Sequence, residues 1–264
     1  MLPSIYGVSV YFSFWVLAAV AAIWIAWSMT TDAGLPRRSS LAALILLAIV
    51  IIVGSKLYFL AGFLLFPSQE AALYTQEQLV TVLRQGYRIP GGIVLMALAL
   101  PIVCSLFKLP VLRFADAMMP AIGIAVVFVR LGCFMNGCCY GAVTHGPLGV
   151  HFPMGSKAYE MQLLTHEIAW PAEHTLPVHP LQLYYAAAGL MLYVLARRWQ
   201  VTKQYDGEVW AKSYAYFFAT TFLLEFLRSP TVYINLVVPP IVAVAALVLA
   251  VRARQSGTVA VRTT

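Results

Sequence analysis

Charge is what this chain has least of. Only 10% of its 264 residues are Asp, Glu, Lys or Arg, and 61% are hydrophobic; a soluble domain carries about a quarter charged residues. That balance excludes a water-soluble globular domain and equally a disordered polar chain. Acidic residues are scarcest, ten against 17 basic, giving a formal charge of +7. Cysteine is rare too, with four in the whole chain, too few for a disulfide-built scaffold. Internal repeats and low-complexity tracts are missing, and no stretch of soluble composition is long enough to form a separate domain.

What is present instead is a series of apolar runs near the length that crosses a bilayer, about 20 residues. The expected spans are 8–28, 41–62, 89–107, 114–129, 180–196, 209–227 and 234–251. The first is read as a retained span, since it is too long for a signal-peptide core. The sequence therefore predicts an all-α integral membrane protein of about seven transmembrane helices, one polytopic domain over 1–264. Basic residues set its orientation. Arg37, Arg38, Lys108, Arg113, Arg197, Arg198, Lys203, Lys212, Arg252, Arg254 and Arg262 all fall on one side when the N-terminus is outside and the C-terminus inside. This is the positive-inside bias, and it accounts for the net charge without a nucleic-acid partner.

Two connections are long enough to fold over the outer face. Residues 63–87 contain helical spacing of Leu73, Leu79, Val80 and Leu83, expected as an interfacial arm or an ordinary connecting helix. Residues 133–179 hold all five histidines and little periodicity, expected as an extracytoplasmic loop or cap of the functional kind. The segment 252–264 is expected as a cytoplasmic tail.

Ionisable groups at membrane depth usually face one another or a polar cavity. Glu225 and Arg228 share a helix face at the outer end of the sixth span; taken alone they read equally well as an anchoring pair at the headgroups. Arg130, at the outer end of the fourth span, brings a second guanidinium. Two arginines converging from different helices form a clamp for a phosphate, and a phospholipid headgroup is the phosphate available at that depth. Gly132, Gly137 and Gly141 are expected to give non-helical backbone that approaches a ligand closely. Asn136 offers donor and acceptor; His179 and Gln182 open another span, and Tyr6 with Gly7 enters the first, all at the same face.

Cys133, Cys138 and Cys139 leave several readings open. A C-x4-C-C spacing with scattered His145, His151 and His179 matches no strong zinc template, so no metal and no cofactor is expected. A Cys133–Cys138 disulfide fits an oxidising compartment, and burial as small hydrophobes is the common fate of free thiols. Cys104, within a span, is read as packing.

The motifs taken together resemble the bacterial prolipoprotein diacylglyceryl transferase family. "VRLGCFMNGCCYG" is similar to its G-R-x-G-N-F-x-N-x-E-x-x-G fingerprint through Arg130, Gly132, Phe134, Asn136 and Gly141. "DAMMP" matches D-A-x-x-P through Asp116 and Pro120, "YG" at Tyr6–Gly7 matches the first-helix pair, and "GSKLYF" places Lys56 where arginine is usual. "GG" at Gly91–Gly92, "HPLQLY" from His179, and "FLLEFLR" ending in Glu225 and Arg228 follow in order. The departures are Cys133 for asparagine, Cys138 for glutamate, Pro90 for histidine and Thr221 for a further arginine.

The resemblance implies transfer of diacylglyceryl from phosphatidylglycerol to the lipobox cysteine in a prolipoprotein signal peptide, within the bacterial inner membrane, among membrane lipids. It implies that Arg130, Arg228, Asn136 and His179 act in catalysis, and that Tyr6, Gly91, Gly92, Gly132, Gly141, Gln182 and Glu225 bind substrate. The alternative is a catalytically altered paralogue on the same scaffold, binding phospholipid or acting through its thiols.

Overall fold

A computed structural model describes residues 4–5, 8–65, 83 and 89–228. Among them, two short strands, β1 (Ser4–Ile5) and β2 (Val8–Ser9), pair antiparallel ahead of seven helices. These helices are α1 (Val10–Asp32), α2 (Arg37–Leu65), α3 (Ile89–Leu106), α4 (Val111–Asn136), α5 (Lys157–Leu164), α6 (Leu181–Thr202) and α7 (Glu208–Glu225).

Helices α1, α2 and α4 are long and apolar enough to cross a membrane, and α3 adds a shorter apolar helix. Their outward residues are large and greasy: Val20, Trp24, Ile52 and Ile102 are all more than half exposed. Apolar surface on that scale is intolerable in water and ordinary against lipid. This is a membrane protein. Of the 63–87 connection, residues 63–65 continue α2; the remainder apart from 83, the last span (234–251), the tail and Tyr6 lie outside the described residues.

The chain forms two compact units, one of residues 27–114 and one of residues 1–26 with 115–264. In the first, α2 packs on α3 through glycines. A Cβ on Gly54 would lie 2.7 Å from the Gly91 carbonyl oxygen, a Cβ on Gly91 would strike Tyr58, and one on Gly92 would strike Ser55. Small residues that let helix backbones close up are the usual solution where lipid gives no hydrophobic drive.

In the second unit the same device joins α4 to α6: Gly123 would place a Cβ 2.6 Å from the Gly189 carbonyl. The D-A-x-x-P motif supplies a second joint. Pro120 has no N–H, so the carbonyl of Asp116 four residues back loses its helical partner. The Gln200 side-chain amide, on α6, donates to that carbonyl at 3.3 Å. The Asp116 carboxylate, 1% exposed, accepts the backbone N–H groups of Gly207 (2.9 Å) and Trp210 (2.8 Å) and an ion pair from Lys203 (3.0 Å). It thereby caps the N-terminus of α7, a task usually done by the residue immediately before the helix; Gly207 holds that position, with φ of 95° and no side chain.

Helix α4 is longer than the expected 114–129. Its final turns absorb Arg130, Gly132, Cys133 and Asn136, so residues 133–136 belong to the helix and the loop starts at Gly137. Gly132 is helical, contrary to the expectation of irregular backbone there. It is small because a Cβ would sit 2.8 Å from Cβ of Phe14 on α1. The segment after it is also more ordered than its sequence promised. Val143 and Val150 each bridge to Val178, Pro153 bridges to His174, and Ser156 caps α5 through the Tyr159 N–H. Phe152, Ala158 and Val178 form its buried core, and Phe134 and Tyr140 pack against it.

Candidate functional site around Arg130, Tyr185 and Arg228

The end of α4 determines the site. Gly137 takes φ of 68°, its N–H bonds the Phe134 carbonyl (3.1 Å), and the Cys138 N–H bonds the Cys133 carbonyl (3.1 Å). This is the Schellman pattern, in which a left-handed residue closes the helix and brings side chains from the last turn and the following loop together. Here those side chains are Cys133 and Cys138. Cys139 follows with φ of 61°, folding the loop back again. All three sulfurs lie within 4.8 Å of one another, and all three thiols are free, so of the readings left open the Cys133–Cys138 disulfide is not formed in this structure.

Beyond the thiols, three strands of chain cross at Gly141. Its N–H donates to the His179 carbonyl (2.8 Å), the His179 N–H returns to the Ala142 carbonyl (3.0 Å), and the Ala142 N–H reaches the Leu227 carbonyl at the end of α7 (2.8 Å). A Cβ at Gly141 would stand 2.5 Å from that Leu227 oxygen, which is why glycine is needed. Gln182, fully buried, donates to the Cys138 carbonyl at 2.7 Å. Its side-chain oxygen is buried and has no hydrogen-bond partner among the described residues. His179 Nδ1 lies 3.4 Å from the Tyr184 hydroxyl, and the Asn136 side chain interacts with Cys138.

The charged groups converge on Tyr185. The Arg130 guanidinium carbon is 4.2 Å from the centroid of its ring, a cation–π contact, and Arg228 interacts electrostatically with the same side chain. Arg228 also donates through Nε to the buried Glu225 carboxylate at 3.1 Å. Cys139 feels both guanidiniums; hydrogen bonds from Cys133 and Cys138, together with that positive field, hold its thiol well below the ordinary range. Beneath, Tyr185 lines a small apolar cavity with Val126, Tyr216, Phe217 and Thr221.

Of the residues singled out in sequence, Arg130, Asn136, Gly141, His179, Gln182, Glu225, Arg228 and the three thiols thus gather around the ends of α4, α6 and α7. Gly91 and Gly92 lie in the other unit, at the α2–α3 contact. Sequence reasoning missed Tyr185, which nothing in "LQLYYAAAG" distinguishes from a lipid-facing aromatic.

A family model described as prolipoprotein diacylglyceryl transferase matches residues 3–253. Among similar proteins, the phosphatidylglycerol–prolipoprotein diacylglyceryl transferase of Rhodopirellula baltica is 33% identical over 168 residues, 61% of this chain and 34% of that protein. The enzyme of that name from Geobacter sulfurreducens is 30% identical over 195 residues, covering 74% and 66% respectively. That from Clostridium tetani is 26% identical over 183 residues, covering 69% and 67%. The matched region spans a third to two thirds of these relatives' lengths. With a family match running almost end to end and the fingerprint residues assembled at one place, the chain belongs to the prolipoprotein diacylglyceryl transferase family.

Proposed function

We propose that this protein transfers the diacylglyceryl group of phosphatidylglycerol to the lipobox cysteine of prolipoproteins. The observation that carries the reading is the meeting at Tyr185 of Arg130, from the last turns of α4, and Arg228, from the turn that follows α7. The lipid phosphate would take its place between the two guanidiniums. The acceptor sulfur forms a C–S bond to the terminal glyceryl carbon as that carbon's bond to the phosphate oxygen breaks. The thiol proton leaves, and glycerol phosphate departs. The charge developing on the departing phosphate is met by fixed cations, the electrostatic contribution that usually dominates catalysis. Glu225 holds Arg228 in place; Asn136, Gly141, His179 and Gln182 shape the pocket. By the family resemblance Tyr6 and Gly132 are further binding residues, while the small size of Gly91 and Gly92 is accounted for by the α2–α3 contact.

The same reading gives one polytopic domain of seven spans in the bacterial inner membrane, N-terminus out and C-terminus in, with 137–179, the part of the expected cap that follows α4, on the outer face, the rest of the 63–87 connection beyond α2 as an interfacial arm or connecting helix, and 252–264 as a cytoplasmic tail. It is tested in a strain depleted of its own transferase, following a model lipoprotein by its increase in mass. Rescue that is lost in Arg130→Ala and Arg228→Ala supports it. Normal membrane expression without lipidation would overturn it in favour of a paralogue that binds phospholipid without transferring from it.

A further inference from the structure

The residues that depart from the family fingerprint, Cys133 and Cys138, are two corners of the thiol triangle. Their spacing in sequence matched no zinc template, because a helix ending separates them; the Schellman turn brings them together, and the positive φ of Cys139 adds the third corner. The sulfurs lie within 4.8 Å of one another. Three thiolates sharing a zinc ion at about 2.3 Å each would stand about 4 Å apart, so the cluster needs only a small contraction. An odd number of thiols suits a disulfide poorly, since any one bridge strands the third sulfur; the remaining cysteine, Cys104, is buried in the other unit.

We propose that Cys133, Cys138 and Cys139 hold a zinc ion whose fourth position is open to the acceptor thiol. Among the described residues no further His, Cys, Asp or Glu joins the group, which is the pattern of three protein ligands and one exchangeable site found in catalytic zinc centres. A thiol binding there is deprotonated outright, its proton passing to solvent. The zinc-bound thiolate then attacks the glyceryl carbon, the C–S bond forms, and the carbon–phosphate-oxygen bond breaks toward the arginines. The thioether product is neutral and a weak ligand, and it leaves. Metal activation of a nucleophile would thereby replace the histidine and glutamate that this chain lacks at Pro90 and Cys138. The inference of a metal stands on the thiols alone; the role in attack rests on the proposed transferase reaction.

The experiment uses the full-length protein, reduced and purified in detergent, titrated with Co(II) as a spectroscopic stand-in and with Zn(II). One equivalent should give thiolate-to-cobalt charge transfer and tetrahedral d–d bands, displaced by zinc. The bands should fall at least tenfold in Cys133→Ser, Cys138→Ser and Cys139→Ser, and persist in Cys104→Ser. Monodisperse elution of each variant separates loss of the site from loss of the fold. A peptide containing the lipobox cysteine should shift the bands, and its serine counterpart should not. Absence of a one-to-one cobalt complex in protein with its thiols counted as free would overturn the site. Lipid transfer that persists at full rate after chelation, with cobalt binding intact, would overturn the role in attack and leave the transferase reading standing. Metal binding with the peptide shift but no transfer would overturn that reading instead and leave the metal site in place.

Discussion

The Arg130 guanidinium sits over the ring of Tyr185 at 4.2 Å, and Arg228, just past the end of α7, interacts electrostatically with the same side chain. One tyrosine therefore sets the separation of two cations that would otherwise repel each other. Removing the ring should release both. Tyr185→Ala is expected to lower transfer ten- to a hundredfold, on the order of 1.4 to 2.8 kcal/mol, whereas Tyr185→Phe keeps the π face, loses only the hydroxyl, and should fall less than tenfold. Initial rates with a lipobox peptide and phosphatidylglycerol vesicles distinguish the two. Equal losses would refute the shared-ring arrangement.

Charge alone should not suffice at position 228. The guanidinium is oriented by Glu225, and only a planar fork can bond a carboxylate and a phosphate together in fixed geometry. Arg228→Lys is expected to remain near the activity of Arg228→Ala. Glu225→Ala leaves a partly buried cation without its counter-ion and should destabilise the protein by up to about 3 kcal/mol, with Glu225→Gln intermediate. Thermal unfolding in detergent, read beside activity, checks both.

Asp116 should matter for stability rather than for turnover. Asp116→Ala strands two backbone N–H groups and leaves Lys203 with only its pairing to Asp206, and each unsatisfied buried donor costs about 1–3 kcal/mol. A lower unfolding temperature is expected, with the specific activity of the folded fraction within about twofold of the parent; each kcal/mol corresponds to roughly a fivefold change in the folded-to-unfolded ratio. A selective loss of activity at unchanged stability would contradict the capping role.

Gly141 tests how tightly the loop is held to α7. A methyl group there meets the Leu227 oxygen at 2.5 Å, so Gly141→Ala must push the chain just before Arg228 away. Transfer should drop more than tenfold while the helices persist by circular dichroism. Gly155→Ala, at a glycine with open space around it though also at positive φ, serves as the comparison and should affect stability by about 1 kcal/mol with activity retained.

Much of this was legible in the letters. Apolar runs located α1 through α4, α6 and α7, the starts within a few residues and the ends of α4 and α6 several residues short, and misplaced charges marked Arg130, Glu225 and Arg228. The end of α4 was read short because Arg130, Gly132 and Asn136 lower its hydropathy, although none of them breaks a helix when packed against neighbours. The thiol triangle could not be read at all. It depends on Gly137 adopting a left-handed turn, and sequence spacing does not encode that turn. Tyr185 escaped for a related reason: its value lies in which two cations reach it, a fact of helix placement. The role of Asp116 was hidden because its partners, Gly207 and Trp210, are some ninety positions away.

The joint at Pro120 has a bearing on how the chain is made. The acceptors that receive Gln200, Lys203 and the start of α7 all belong to a helix synthesised earlier. A ribosome feeding this protein into the bilayer delivers the socket before the plug, so the α6–α7 hairpin meets its fastening point as it emerges. Assembly of the face that carries Arg130 and Arg228 can then follow the order of translation.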